Sequence, residues 1–455
     1  MRGSALLLAL PLWLFATPEA AGRPNVLLIT IDTLRADHVS CYGYHLRTTP
    51  NIDRLAAEGT RFDRAYTAIP LTGPAHYSLF TSRYPQEHGA RINGVSHNSE
   101  ARLIFLPQAL RRFGYRNAAF ISAWPLTSRL THLDEFFDHY DEELNRTYQL
   151  FNSSRYAEDV TPRAIAWLRA NGRRPFFLWV HYFDPHSPYH FRKAFSRLPR
   201  TGKAPLNALP NDEETRFRVA SYDSEVAYTD HYVGKLLEAL SELKLDGSTL
   251  VVLLSDHGES LGEHGYVGHG RHLYENIVRI PLIFRWPGVV QAGKTVASEV
   301  SLLDVAPTIL DLAAGPGYQP PVPLGGRSLA GSLYEGGAPP EERVIRHITF
   351  AGKKGFFPRW FSFLWTSVDE RPLRVGMLAG ARKLIWSPQD ESLEIFNLSR
   401  DPLEQAPLKP GRKTPLYRAE AARLDRWFES TAGASGANRM TEKDLETLRS
   451  LGYLQ

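Results

Sequence analysis

The chain has 455 residues, 43% hydrophobic and 22% charged, with 53 basic against 49 acidic side chains for a net charge of +4. Single cores stop growing near roughly 250 to 300 residues, so one large domain with a smaller second one is expected. A balance this even, without long charge runs, gives no footprint for nucleic acid, and the single cysteine, Cys41, excludes an intramolecular disulfide.

The chain opens with Met1-Arg2-Gly3-Ser4, an apolar run from Ala5 to Ala16 and a small-residue end at Ala20-Ala21. This is the pattern of a signal peptide over 1–21, with an apolar run too short for a comfortable membrane span. An uncleaved signal anchor is the alternative. Export without disulfides suits a bacterial periplasm, so a periplasmic or secreted protein with no stable membrane span after cleavage is expected.

Asn25 to Ile31 is a nearly unbroken apolar run ending at Asp32, the mark of a strand buried on both faces with a carboxylate at its carboxyl end. A short helix from Thr49 to Gly59, with Pro near its start, and a strand from Arg61 to Tyr66 lead to the stretch Leu71-Thr72-Gly73-Pro74-Ala75-His76. There a lone hydroxyl, Thr72, stands at the mouth of a helix one turn before His76. It is either an ordinary cap or a group held in the positive field of the helix start. A helix over 106–113, a strand over 116–122 and a helix over 156–170 follow. The apolar run Phe176 to Phe183 then delivers Asp184-Pro185-His186 into a proline-held loop.

Residues 197–215 are Pro-rich and irregular, a cover or a connection, and 217–243 has helical spacing. Ser248 to Ser255 is a third buried strand, ending in Asp256-His257-Gly258-Glu259, with His264, His269 and His272 in the loop beyond. Three strands thus end in Asp32, Asp184 and Asp256. Carboxylates gathered over one sheet edge repel unless a cation binds them, and nearby imidazoles are natural ligands for it. An amphipathic helix over 301–310 precedes a Pro/Gly-rich boundary. The predicted class is α/β, a mostly parallel central sheet flanked by helices over 22–331. A smaller α+β subdomain over 332–455 ends in helices near 414–430 and 441–451.

These residues resemble the sulfatase branch of the alkaline phosphatase superfamily. The likeness runs through Asn25–Asp32 with Arg35 and Asp37, the Thr-Pro-Asn-Ile-Asp helix from Thr49, Thr72 to Pro85, Ser255-Asp256-His257-Gly258, Asp304 with Pro307-Thr308, Gly326-Arg327-Ser328-Leu329 and Asp401-Pro402-Leu403-Glu404. It also departs. The family's sulfatases carry a Cys or Ser, oxidised to formylglycine, where Thr72 stands, an Arg where His76 stands, and Gly-Lys-Trp-His where this chain has Ile121-Ser122-Ala123-Trp124. A threonine cannot become formylglycine by that route. Threonine at this position resembles the superfamily's phosphodiesterases and phosphoethanolamine transferases. His257 and His269, twelve residues apart, resemble the transferases' metal-binding and leaving-group histidines.

The resulting expectation is one cation on Asp32, Thr72, Asp256 and His257, zinc or manganese rather than calcium, which takes more oxygen ligands. Thr72 would be the nucleophile, His269 or His186 would protonate the leaving alkoxide, and His76 would hold a non-bridging oxygen. Asp184, His186 and His269 are the alternative ligands of a second cation. The expected protein is an exported hydrolase of phosphate or phosphonate esters on a small-molecule, glycan or lipid-headgroup substrate, with 134–156 and 196–217 shaping the choice. The rivals are a sulfate-ester hydrolase using unmodified Thr72 and a non-catalytic binding protein on the same scaffold.

Overall fold

The computed structural model describes residues 22–148, 151–196, 209–315, 318–350, 371–433, 436 and 441. The signal expected over 1–21, residues 197–208 of the irregular segment and, but for Thr441, the helix expected over 441–451 lie outside them.

In chain order the elements that place the site are β1 (Asn25–Ile31), α1 (Pro50–Ala57), β2 (Thr60–Tyr66), α2 (Thr72–Thr81), α3 (Leu106–Arg111), β3 (Arg116–Phe120), β4 (His139–Asp141), α4 (Ala157–Asn171), β5 (Phe176–Tyr182), α5 (Glu213–Glu242), β6 (Thr249–Ser255), β7 (Arg279–Ile280), β8 (Leu282–Arg285), β9 (Lys294–Ser301) and α6 (Val305–Ala314). Then come β10 (Ile345–Thr349), β11 (Arg374–Ala379), β12 (Arg382–Ser387), β13 (Ser392–Asn397) and α7 (Pro415–Thr431). Helix α5 starts four residues before its expected beginning because the Asp212 side chain accepts the Thr215 N–H, an N-cap.

The main sheet runs β7-β2-β8-β6-β1-β5-β3-β4, with β9 also on β2. Strand β1 lies between β5 and β6, parallel to both, and β3 continues the parallel set on β5. Strands β7 and β8 run antiparallel to β2, and Pro281, which has no N–H to donate, separates them. The mostly parallel sheet flanked by helices is thus as the sequence predicts.

Burial on both faces explains the unbroken apolar runs. Val26 and Leu28 pack with Phe177, Trp179, Val252 and Leu254 on one face, and Leu27, Ile29 and Ile31 with Leu178, Val180 and Leu253 on the other. The two-residue period then puts Thr30 and Asp32 on the face of Leu28, and Asp256 on that of Leu254. Helix α2 covers this face through Tyr77, Leu79 and Phe80. The four strands β10 to β13 form a separate antiparallel sheet in sequence order, joined to the first unit where Ile348 N–H donates to Ala68 O at 2.9 Å.

Candidate active site

Ile31 and Ser255 are the last paired residues of β1 and β6. The next residue of each strand is therefore a carboxylate beside a carboxylate: Asp32 and Asp256 are both buried, and with His257 they bring ligand atoms within 4.8 Å of one another. His257 Nε2 lies 3.7 Å from Asp32 Oδ1 and 3.5 Å from Asp256 Oδ2. Burial, and next the charge of Asp256, push the Asp32 carboxyl well above the usual carboxylate range. Burial pulls Asp256 the same way, but His257 and the imidazoles of His76 and His181 outweigh it and hold Asp256 low.

The backbone between Asp32 and Leu34 turns through a left-handed Thr33, φ 55°, which is costly for a β-branched residue. Tyr222 holds the turn: its hydroxyl donates to Thr33 O at 2.8 Å and accepts Arg35 N–H at 2.9 Å. The turn aims Thr33 N–H at Asp256 Oδ1, 3.3 Å away.

Thr72 is not the cap of α2. Leu71 occupies that position without a side-chain cap bond, and Thr72 is the first helical residue. Its hydroxyl donates to Asp32 Oδ2 at 3.4 Å and lies 3.5 Å from His257 Nε2. Asn93 secures the same turn by accepting Gly73 N–H on Oδ1 at 2.8 Å. Its Nδ2 is buried without a hydrogen-bond partner among the described residues. The sequence offers no signal for Asn93 beyond its place in a loop.

His76 departs from its expected role. The ring is fully buried, with Nδ1 2.8 Å from Thr72 O and Nε2 3.1 Å from Thr30 Oγ1. Both nitrogens are used inside the fold, so the ring is not presented to a substrate oxygen. Burial lowers it to about 3, which keeps it neutral. Beside it is His181, which the sequence hides inside β5. Ser122 N–H donates to its Nδ1 at 3.4 Å, leaving the ring proton on Nε2, 3.6 Å from Asp32 Oδ2.

The imidazoles of His257 and His269 lie 4.5 Å apart, and those of His269 and His186 5.1 Å apart. Asp184, expected to join His186 and His269 on a second cation, is held elsewhere. Arg192 donates to its Oδ1 at 2.8 Å, Ala157 N–H to its Oδ2 at 3.0 Å, and Arg146 stands 4.0 Å away. The carboxylate beside His269 is Glu259, whose Oε1 is 3.0 Å from His269 Nδ1. Burial raises Glu259 and, with His257 next, lowers His269. His264 stacks on Tyr274 at 3.8 Å between centroids, and His272 packs on Tyr266 and Tyr274.

The residues fit a divalent cation. Asp32 Oδ1 and Asp256 Oδ2 are buried with no hydrogen-bond partner among the described residues, an arrangement of two like charges that calls for a positive one. Two carboxylates and one imidazole, with the Thr72 hydroxyl beside them, make a donor set of mixed hardness for such a cation. The only cysteine, Cys41, is half-buried and has no part in it. Among the described residues no helix is long and apolar enough to cross a membrane.

A family model described as Sulfatase matches residues 24–316, and one described as N-sulphoglucosamine sulphohydrolase, C-terminal, matches 262–414. The N-acetylglucosamine-6-O-sulfatase of Bacteroides thetaiotaomicron is 27% identical over 415 residues, covering 71% of this chain and 73% of that protein. The N-acetylgalactosamine-6-sulfatase of Rattus norvegicus is 27% identical over 463 residues, covering 86% and 83%. Among solved structures, the phosphonate monoester hydrolase of Agrobacterium radiobacter superposes with a TM-score of 0.67 at 22% identity, over 90% of this chain and 95% of its own, a likeness of fold. With a model spanning most of the catalytic sheet and its helices, the chain belongs to the sulfatase family, whose members are hydrolases acting on ester bonds.

Proposed function

We propose that this chain is a metal-dependent hydrolase that uses Thr72 as its nucleophile on singly charged phosphorus esters, phosphodiesters or phosphonate monoesters. The observation that carries this is the Thr72 hydroxyl, 3.4 Å from Asp32 Oδ2 and 3.5 Å from His257 Nε2 at the start of α2. A divalent cation on Asp32, Asp256, His257 and Thr72 would lower the proton affinity of the hydroxyl and offset charge on the ester.

Thr72 Oγ1 attacks phosphorus as its proton passes toward Asp32, the P–O bond to the alcohol breaks, and a phosphothreonine ester results. His269 gives the departing alkoxide its Nε2 proton as its Nδ1 takes one from Glu259, whose carboxyl burial keeps protonated. Water then attacks the same phosphorus, its proton passes through His269 back to Glu259, and Asp32 returns its proton to the departing Thr72 Oγ1. Asn93 Nδ2, with no partner among the described residues, is the donor for a non-bridging oxygen as charge develops there. Export to the periplasm or beyond, and a glycan, lipid-headgroup or small-molecule alcohol as the ester's other half, belong to the same proposal.

The preference for phosphorus has a chemical ground. A formylglycine hydrate has a second hydroxyl through which its ester can collapse. Threonine has none, so its ester must be released by a second attack on the tetrahedral centre. The preference for one negative charge follows from the site. His76 and His181 are held neutral there, and among the described residues no Lys or Arg is hydrogen-bonded to Asp32, Thr72 or Asp256. Sulfate monoesters also carry one charge, and the sulfatases among the relatives favour them as the second reading.

Rates on bis-p-nitrophenyl phosphate, p-nitrophenyl phosphate and p-nitrophenyl sulfate, with zinc or manganese added, distinguish these. The diester should be turned over fastest and the dianionic monoester slowest. Fastest turnover of the sulfate would replace the phosphorus reading with the sulfate one, and no turnover of any ester would favour the binding protein.

A further inference from the structure

Below the Thr72 turn, a line of polar groups crosses the apolar face of the sheet where β1, β5 and α2 meet. Trp179 Nε1 lies 2.8 Å from Thr30 Oγ1, Thr30 Oγ1 lies 3.1 Å from His76 Nε2, and His76 Nδ1 lies 2.8 Å from Thr72 O. Thr30, His76 and Trp179 are all fully buried. The two ends fix every proton between them. An indole N–H can only donate, and a carbonyl oxygen can only accept. Trp179 therefore donates to Thr30, His76 donates through Nδ1–H to Thr72 O, and the one remaining arrangement that satisfies both middle groups has Thr30 O–H donating to a bare His76 Nε2.

The sequence explains how this line comes to be there. Trp179 pairs with Leu28 in register, and Thr30 with His181, so the two-residue period puts Trp179 and Thr30 on one face of adjacent strands. His76 is one turn along α2 from Thr72 and so lies under it. Its ring sits 5.1 Å from that of Trp179, closing the line by packing as well as by hydrogen bonds.

We infer that Trp179, Thr30 and His76 form a directed hydrogen-bond chain that anchors the first turn of α2, which makes His76 a positioning residue for Thr72, its tautomer set by the Thr72 carbonyl and its ring held in place by Thr30. This rests on the proposal that Thr72 is the nucleophile. The anchoring acts on the carbonyl of the nucleophilic residue itself, so a ring free to flip would loosen the hydroxyl that must stay in line with the ester. His181, which pairs with Thr30 in register, turns its Nε2–H toward Asp32 but stands 3.6 Å from Oδ2, too far for a hydrogen bond.

The test uses the whole protein with 15N-labelled histidine, metal-free, together with kinetics after zinc or manganese is restored. The imidazole spectrum of the wild type should contain a histidine with protonated Nδ1 and bare Nε2, identified by its loss in His76→Gln. Thr30→Val, which keeps the shape and removes the hydroxyl, leaves Nε2 without its donor and should shift the Nε2 resonance of that histidine while Nδ1 stays protonated. It should lower kcat about 10-fold on the better of bis-p-nitrophenyl phosphate and p-nitrophenyl sulfate while leaving KM within about twofold. Thr30→Ser should restore both. A His76 protonated on Nε2 in the wild type would overturn the inference, as would a Thr30→Val protein with the shifted Nε2 resonance and an unchanged kcat. Full activity in Thr72→Ala would instead remove the nucleophile and leave the tautomer result standing.

Discussion

The hydroxyl of Thr72 donates to Asp32 across 3.4 Å although 40 residues separate them in the chain. A threonine at a helix start ordinarily turns its oxygen to its own backbone. Here Leu71 holds the cap position, and the hydroxyl faces a buried carboxylate and imidazole.

Replacing Thr72 therefore separates a structural hydroxyl from a reacting one. Thr72→Ser keeps the oxygen and should retain activity within about tenfold, whereas Thr72→Ala should lower kcat/KM by on the order of 10³-fold or more. Because Leu71 and Asn93 hold the turn without the hydroxyl, circular dichroism and melting of Thr72→Ala should match the wild type. Steady-state kinetics beside a thermal melt check both.

The pair Asp32 and Asp256 predicts opposite effects on stability and on metal binding. Two buried carboxylates repel in the metal-free protein, so Asp32→Asn should raise its melting temperature or leave it unchanged. Zinc or manganese should stabilise the wild type by about 2.7 kcal/mol when present at 100 times its dissociation constant, and this rise should vanish in Asp32→Asn. Calorimetric melts of chelated and metal-loaded protein measure both quantities.

How much of this the sequence discloses depends on how far each group's role is local. Asp32 and Asp256 are legible because a buried parallel strand announces itself as an apolar run and its carboxyl end is where a ligand meets the sheet. Thr72 is legible as a hydroxyl at a helix mouth, but its cap-like position hides the direction in which it points. His76 is visible one turn on, yet its neutral, inward-facing state depends on Thr30 and Trp179 from two other strands. His181 sits inside an apolar strand with no local mark, and Asn93 becomes relevant only when its loop folds over Gly73. Asp184 misleads for the same reason. Its strand end matches the other two, but Arg192 from a loop and Arg146 from a short strand, neither of which the pattern can place, hold its carboxylate.

A second buried charge cluster fastens the smaller sheet to the larger unit. Lys383 on β12, fully buried, bonds Glu275 Oε1 at 2.9 Å and Glu404 Oε1 at 2.8 Å, while Glu404 Oε2 accepts Glu275 N–H at 2.6 Å. Lys383→Met leaves two buried carboxyls without their cation and should destabilise the protein by about 3 to 5 kcal/mol. Denaturant unfolding measures the loss, and activity of the folded fraction should be retained because the cluster does not touch Thr72.

Cys41 is the only thiol and should be inert. Burial, and next the charge of Asp53, push it from 9.0 to about 12. At pH 8 the thiolate is thus about 10³-fold scarcer than at an unperturbed group, and alkylation of the native protein should be slower in proportion. A raised thiol favours folding fully below pH 9 and loses that contribution as pH rises through 12, so wild-type stability should fall relative to Cys41→Ser only in that alkaline window. Iodoacetamide labelling of native and unfolded protein, with activity of Cys41→Ser at the wild-type level, checks the assignment.

The central claim is that Thr72 becomes covalently esterified during turnover. Acid-quenched samples taken within the first turnover of bis-p-nitrophenyl phosphate, digested with trypsin, contain the hydroxyl in the peptide from Ala65 to Arg83. A nitrophenyl-phosphoryl adduct should appear on Thr72 of that peptide, formed as the first nitrophenol is released and absent from Thr72→Ala. Release of nitrophenol at the wild-type rate with no adduct on Thr72, or an adduct on another residue, would contradict it.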